Sequence, residues 1–212
     1  MRTLKKLLIG ATISLVCTAG LQASEIGVSG NIGATSNYVW RGMTQANDKA
    51  ALQGGVDVDY KGAYVGAWGS TLQSGDYELD LYGGYTNEFY GVGYDVGYVA
   101  YKYPKNDGLD FEEIYVGLSK EFYGVEVGAS YYFGMDEATD YVEGSLGYDF
   151  GLVAASATYG SYDKIGDNWS VGLSKTFLED SLELAVAYTE MKSDNGSGSD
   201  EEAALATVTY SF

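Results

Sequence analysis

The chain has 212 residues, of which 30 are acidic and 12 are basic, and it contains 30 Gly, 21 Tyr, one Pro and no His. Without His, no Ser-His-Asp triad, Cys-His pair or His-ligated metal site can form, and a formal charge of −18 argues against a nucleic-acid partner. Abundant Gly and Tyr with almost no Pro indicate many short strands joined by tight turns.

The N-terminus has the organisation of a secretory signal peptide. A basic n-region, a mostly apolar h-region and a cleavage site ending in a small residue follow one another: Arg2 with Lys5 and Lys6, residues 7–19, and Leu21-Gln22-Ala23. The apolar run of about 13 residues is short of the roughly 20 that span a bilayer as a helix. We therefore predict a signal peptide over 1–23 and one exported domain over 24–212. Cys17, the only cysteine, lies in the removed segment, so no disulfide is expected.

Beyond the signal peptide, apolar and polar residues alternate in segment after segment, which is typical of strands with two different faces. Twelve segments are predicted as strands: Glu25–Arg41, Ala51–Tyr60, Ala63–Thr71, Tyr77–Glu88, Val92–Tyr103, Phe111–Phe122, Val125–Phe133, Thr139–Asp149, Leu152–Ser161, Asn168–Phe177, Leu182–Glu190 and Glu202–Phe212.

Short and long connections alternate between these segments. The short ones are 61–62, 89–91, 123–124, 150–151 and 178–181, and the longer, more polar ones are 42–50, 72–76, 104–110, 134–138, 162–167 and 191–201. Antiparallel strands that cross a membrane back and forth produce this pattern, with short turns on the periplasmic side and long loops outside.

One face of the predicted strands is apolar, and the other carries acids together with Gly, Ser and Thr. In a soluble sandwich the apolar face would point inward, whereas in a membrane barrel it faces lipid. Aromatic residues at the strand ends favour the barrel, because they would form girdles at the membrane interfaces: Tyr60, Tyr85, Phe89, Phe122, Phe133, Phe150, Trp169 and Phe177. We predict an all-β, antiparallel, up-and-down transmembrane β-barrel of about 12 strands, with 10 or 14 as alternatives and a secreted β-sandwich as the competing fold.

The last predicted strand ends on Tyr210 and Phe212, which share its apolar face. A terminal aromatic residue on an amphipathic strand is similar to the signal that the outer-membrane barrel assembly machinery reads. We expect Tyr210 and Phe212 to serve as this assembly signal.

Three blocks near the N-terminus resemble a known family. They are SNYVWRGMTQ from Ser36, ALQGGVDVDYKGAYVGAWGS from Ala51, and YELDLYGGYT from Tyr77. In this order, the Trp-Arg-Gly, Gln-Gly-Gly, Trp-Gly and Glu-x-Asp-Leu-Tyr elements resemble the TorF-type porins of proteobacteria. The resemblance is specific over 36–86 and implies an outer-membrane pore, without a substrate.

Arg41 is the most informative single residue, because it shares the predicted polar face with Asn37 and is almost alone as a cation among acids. A buried Arg needs a partner, and the acids of neighbouring strands are expected to supply it, namely Asp57, Asp59, Glu78 or Asp80. Arg41 and the inward acids form the predicted pore lining: Arg41, Asp57, Asp59, Glu78, Asp80, Asp95, Glu126, Glu143 and Glu183. Within it, Arg41 is interpreted as a structural ion pair, as a charged constriction that selects solutes, or as both together.

Together these features predict a narrow outer-membrane channel for small solutes that prefers cations, because carboxylates lining a narrow pore attract them. The expected partners are outer-membrane lipid, the assembly machinery and small solutes or cations, with a monomer and a homo-oligomer such as a trimer both open. The alternative is a closed structural or adhesive barrel. An outer-membrane hydrolase is disfavoured by the missing His, so no enzyme activity, cofactor or metal is expected.

Overall fold

The computed structural model describes residues 26–212 apart from Ser74, Glu137, Asn195 and Ser197. The signal peptide predicted over 1–23 lies outside these residues. Within the described part, no helix is long and apolar enough to cross a membrane.

Fourteen strands and one short 3₁₀-helix, Asp107–Leu109, make up the regular structure of the described residues. The strands are β1 (Gly27–Thr35), β2 (Val39–Trp40), β3 (Met43–Thr44), β4 (Ala51–Tyr60), β5 (Ala63–Thr71), β6 (Tyr77–Phe89), β7 (Val92–Lys102), β8 (Phe111–Phe122), β9 (Val125–Gly134), β10 (Tyr141–Asp149), β11 (Ala154–Tyr162), β12 (Gly166–Phe177), β13 (Leu182–Ser193) and β14 (Glu201–Ser211).

Twelve of these strands, β1 and β4 to β14, form a closed antiparallel barrel in which chain neighbours are also sheet neighbours. The barrel closes where β1 pairs with β14, with Asn31 opposite Ser211. Beyond that pair, the Gly30 amide donates to the Phe212 carbonyl at 2.9 Å, and the Phe212 amide donates to the Gly30 carbonyl at 3.0 Å. Closure gives every barrel strand two partners, which a strand in hydrocarbon requires. The predicted up-and-down barrel and its 12 strands are confirmed.

Turn chemistry determines the register at the end of the barrel with short connections. Three hairpin turns there consist of a non-Gly residue and a Gly that both have positive φ: Lys61 and Gly62, Tyr90 and Gly91, and Tyr123 and Gly124. This backbone matches the twist of antiparallel strands and favours Gly at the second position. The strands β4, β5 and β8, which border such turns, have the predicted bounds to the residue.

The outer surface of the barrel is a belt of apolar side chains. Val28, Ile32, Leu52 and Val65 are each at least 60% exposed, and aromatic side chains lie towards both rims. Tyr60, Phe89, Phe122, Phe133 and Phe150 are all exposed, as a girdle at the membrane interfaces requires. Such a surface would be an aggregation hazard in water. In lipid it is the expected exterior of a transmembrane barrel.

The first predicted strand is wrong in its second half. The alternation over 25–41 predicts one long strand, but β1 ends at Thr35 and the chain then leaves the barrel wall. Residues 39–44 form a separate hairpin of β2 and β3. The alternation in the sequence continues through this segment, but burial does not follow it, since the consecutive residues Asn37, Tyr38 and Val39 are all buried.

Candidate functional site in the barrel lumen

Residues 36–50, which connect β1 to β4, fold into the barrel from the end with the long loops; we call them the inner hairpin. Its strands pair Val39 with Thr44 and Trp40 with Met43. Arg41 and Gly42 form the turn, with φ of +48° and +82°. Val39 is only 1% exposed. The inner hairpin is therefore a packed element of the lumen and not a surface loop.

Arg41 projects from the hairpin tip to the barrel wall and forms a bidentate ion pair with Glu113 of β8. Nη1 donates to Oε1 and Nη2 to Oε2, both at 2.7 Å. The side chains are 5% and 0% exposed. Burial disfavours the charged form of Arg41, but Tyr101 and Glu113 outweigh it and raise the pKa of the guanidinium above its usual range. Two parallel charge-assisted bonds of this kind are strong and geometrically specific.

Aromatic rings surround the same guanidinium. The Arg41 Cζ atom lies 4.1 Å from the ring centroid of Tyr141, 4.7 Å from Tyr132 and 5.1 Å from Tyr162. Trp40, the neighbour of Arg41 on the hairpin, adds a fourth face at 4.3 Å. Cations are attracted to aromatic faces within about 6 Å. We call Glu113 together with Tyr132, Tyr141 and Tyr162 the cation cage.

A second carboxylate, Glu78 of β6, anchors the hairpin through Tyr38 and also accepts a hydrogen bond from Tyr103 of the loop after β7. The Tyr38 hydroxyl donates to Oε1 at 2.7 Å, and the Tyr103 hydroxyl donates to Oε2 at 2.9 Å. Burial, followed by the charge of Glu78, raises the pKa of both tyrosines above the usual range. Tyr38 and Tyr103 therefore stay protonated and remain donors at any physiological pH.

The other flank of the hairpin tip lies against β12 and β13, which are three and two strands away from β1 around the barrel. A Cβ atom on Gly42 would lie 2.8 Å from the Asn168 Cβ of β12 and 3.0 Å from the Met191 Cβ of β13. Next to them, the Thr44 amide donates to Oε2 of Glu201 of β14 at 2.7 Å. Contacts from β6 to β14 show that the inner hairpin crosses the lumen.

The acids predicted to line the pore lie on the inward face, but they do not form one ring. Glu78, Asp80, Asp95 and Glu183 are buried, Asp57, Glu126 and Glu143 are half-buried, and Asp59 is exposed. Glu78, Asp80 and Glu143 lie near the strand ends that carry the long loops. The others lie towards the short turns: Asp57, Asp59, Asp95, Glu126 and Glu183. The lumen is thus acidic on both sides of the hairpin tip.

Several of these carboxylates accept hydrogen bonds from tyrosine hydroxyls. Tyr82 donates to Asp57 at 2.5 Å and Tyr64 donates to Asp95 at 2.8 Å. Both carboxylate oxygens of Asp80 are buried without a hydrogen-bond partner among the described residues. Within the same residues, no group of three or more acids is arranged to hold a metal ion.

The predicted surroundings of Arg41 are wrong in two respects. Arg41 lies in a turn and not on a strand, and its partner is Glu113 rather than Asp57, Asp59, Glu78 or Asp80. The tip carries the guanidinium past the adjacent strands to β8. Glu113 falls on the polar face in the sequence pattern, but nothing local distinguishes it from the other inward acids. The cage tyrosines were missed because their spacing looks the same as that of any strand residue.

The closed wall, the apolar exterior and the charged, aromatic interior define the chain as a transmembrane β-barrel. The model of a family described as "Bacterial protein of unknown function (Gcw_chp)" matches residues 19–212. The chain belongs to this family.

Solved structures show the same architecture. A KdgM porin in complex with disordered oligogalacturonate has a TM-score of 0.65 and 11% identity, over 88% of this chain and 99% of that chain. A NanC porin has a TM-score of 0.57 and 11% identity, also over 88% of this chain and 99% of that chain. At this identity the likeness concerns the fold. No curated protein matches the chain.

Proposed function

We propose that the protein is a narrow outer-membrane channel for passive passage of small solutes, with a preference for cations, and that the inner hairpin closes it in the described conformation. The observation that carries the proposal is the bidentate pair between Arg41 of a loop and the fully buried Glu113 of the wall. A loop whose tip is fixed to the wall by one ion pair, beside a few hydrogen bonds such as those to Glu78 and Glu201, is suited to a gate.

The charge of the lumen supports the cation preference. Asp57, Asp59, Glu126 and Glu183 lie between the hairpin tip and the short turns. Carboxylates in a narrow low-dielectric passage lower the energy of cations and raise that of anions. The KdgM porin was solved with an oligogalacturonate, which is a polyanion. The acidic lumen here opposes such a ligand, so this chain would select a different class of solute.

The proposed channel also implies a route of export, an assembly signal and an oligomeric state. The resemblance to TorF-type porins supports a pore, and the predicted signal peptide supports export across the inner membrane. Tyr210 and Phe212 would then present the last strand to the assembly machinery. A monomer and a homo-oligomer fit the channel equally, and no enzymatic step is part of it.

A reversal-potential measurement in a salt gradient tests the selectivity. With KCl at different concentrations across a planar bilayer, the protein should give a potential of the sign that marks K⁺ as the more permeant ion. Replacing Asp57, Asp59, Glu126 and Glu183 by their amides should move this potential towards zero. A chloride-selective potential, or one that the four substitutions leave unchanged, would refute the cation preference.

The second candidate is a closed barrel that acts in surface structure or adhesion. It is favoured by the extent of the hairpin contacts, which reach from Glu78 on β6 to Glu201 on β14. The two candidates differ in one measurable property. A closed barrel conducts no ions even after the hairpin is loosened, whereas a gated channel then conducts.

A further inference from the structure

The cation cage is built by two different parts of the chain. Glu113, Tyr132, Tyr141 and Tyr162 belong to β8, β9, β10 and β11, which are held by the hydrogen bonds of the barrel wall. The group they enclose, the Arg41 guanidinium, comes from a loop. The wall therefore supplies a complete receptor for a cation, and the hairpin supplies the cation.

We propose that this cage is a binding site for guanidinium or alkylammonium groups of solutes, and that Arg41 occupies it as an internal ligand while the hairpin is closed. The inference rests on the proposed function, because a solute must reach the lumen to replace Arg41. It also names the class of solute: small molecules with a guanidinium or a primary or methylated amine.

The geometry is that of a recognition site and not of a chance contact. Two parallel 2.7 Å bonds to Glu113 fit the planar fork of a guanidinium. Three wall tyrosines place their rings within 5.1 Å of the same carbon atom. Carboxylates combined with aromatic faces are the means by which proteins bind organic cations.

Hydrogen bonds and ring contacts hold Glu113, Tyr132 and Tyr141 in place without the help of Arg41. The Tyr101 hydroxyl donates to Oε2 of Glu113 at 3.1 Å, and the Tyr141 hydroxyl lies 2.8 Å from Oε2 of Glu143. Tyr132 packs against both Tyr115 and Tyr141, with ring centroids 5.5 Å and 5.9 Å apart. A cage that is preorganised in this way loses little entropy when it binds a solute.

Ligand-dependent thermal unfolding of the refolded barrel tests the site without requiring transport. Methylguanidinium is the probe, and methylurea is its neutral counterpart of similar shape. In Arg41→Gly the cage is vacated, and Gly also suits the positive φ of this position. Methylguanidinium should raise the unfolding temperature of Arg41→Gly in a saturable manner and leave the wild type unchanged, while methylurea affects neither.

The double variant Arg41→Gly/Glu113→Gln is the control for the carboxylate, and its affinity for methylguanidinium should be weaker by about tenfold or more. If Arg41→Gly does not fold in ligand-free buffer, the refolding yield of Arg41→Ala with and without methylguanidinium provides the same comparison. Restored yield supports the site, and yield that stays low in both buffers overturns it.

The failures of the two proposals can be told apart. An equal shift in the wild type and in Arg41→Gly, or no shift in either, overturns the cage as a binding site whether or not the barrel conducts. Binding by Arg41→Gly without any conductance supports the cage and overturns the channel.

Discussion

Glu113 is the residue on which the position of the inner hairpin depends. It is 0% exposed and accepts two hydrogen bonds from Arg41. A buried charge pair is costly to break from one side, because the remaining charge stays in a medium of low dielectric. The neighbouring Glu112 differs in burial and in its ion pair. It is 34% exposed, and its Oε1 lies 3.4 Å from the Nζ of Lys102 at the surface of the wall.

We predict that Glu113→Gln lowers the free energy of unfolding by about 3 kcal/mol, since it leaves the Arg41 guanidinium without its counter-ion. Urea unfolding of the refolded barrel in detergent measures the change. Glu112→Gln is the matched control and should cost no more than about 0.5 kcal/mol, because surface ion pairs contribute little. Equal effects of the two substitutions would show that the buried pair does not stabilise the closed lumen.

The high content of Gly and Tyr in the chain reflects how these two residue types pack together. On the inward face, tyrosine side chains lie over glycines of neighbouring strands, as at Tyr115 and Gly97, which are direct cross-strand partners. A Cβ atom on Gly97 would collide with the Tyr115 ring. Small residues of the polar face therefore make room for aromatic side chains. The tyrosine hydroxyls in turn donate hydrogen bonds to the inward carboxylates.

At the scale of elements, the tip of the inner hairpin is closely fitted to the wall at β12 and β13. Gly42 has φ of +82°, and a Cβ at this position would approach Asn168 and Met191 to 2.8 Å and 3.0 Å. Any side chain here must displace the tip. Gly91 has a similar φ of +71° in a short turn, but a Cβ atom added there would have no neighbour within 4 Å among the described residues.

We predict that Gly42→Ala loosens the hairpin and raises the open probability of the channel, whereas Gly91→Ala does not. Both substitutions carry the cost of positive φ, about 1 to 2 kcal/mol, so their difference isolates the contact of the tip with Asn168 and Met191. Single-channel recordings of the two variants provide the comparison. Identical recordings would mean that the tip contact does not keep the lumen closed.

The crossing of the lumen by the hairpin also predicts which inward residues water can reach. Glu78 is 2% exposed beneath Tyr38, whereas Asp59 lies on the same inward face and is exposed near the short turns. Cys17, the only cysteine, lies within the predicted signal peptide, so an introduced thiol would be alone in the mature protein.

We predict that Asp59→Cys reacts quickly with a water-soluble thiol reagent and that Glu78→Cys reacts slowly. Adding Arg41→Gly should speed up the reaction at position 78 and leave position 59 unchanged, since only the former lies under the hairpin. Leu81→Cys, on the lipid-facing side and 46% exposed, should stay unreactive in the membrane. Fast labelling of Glu78→Cys with the wild-type hairpin would contradict the closed lumen.

For the whole molecule, the sequence predicts the wall far better than the lumen. Ala63–Thr71 is recognised to the residue because Lys61-Gly62 marks its start and strict alternation defines its faces. The hairpin was not recognised, because alternation over 36–41 is the same whether the chain lies in the wall or crosses the lumen. Its position depends on contacts with residues far along the chain, such as Glu113, which is 72 residues away from Arg41.

The net negative charge of the whole chain links the fold to the proposed passage of cations. The chain carries 30 acids and 12 basic residues, and in the proposed channel one of these cations, Arg41, keeps the lumen closed. When Arg41 leaves the cage, the lumen loses its bound positive charge and gains a free carboxylate. In the proposed channel, opening and cation preference would therefore be coupled through the contact between Arg41 and Glu113.

Single-channel conductance of the wild type and of Arg41→Gly, recorded side by side in planar bilayers, tests the gated channel most directly. We predict a wild type that is mostly closed, with rare or small steps, and an Arg41→Gly barrel that opens in larger and more frequent steps carried by cations. Two correctly folded, heat-modifiable barrels that both remain silent would contradict the channel and favour the closed structural barrel.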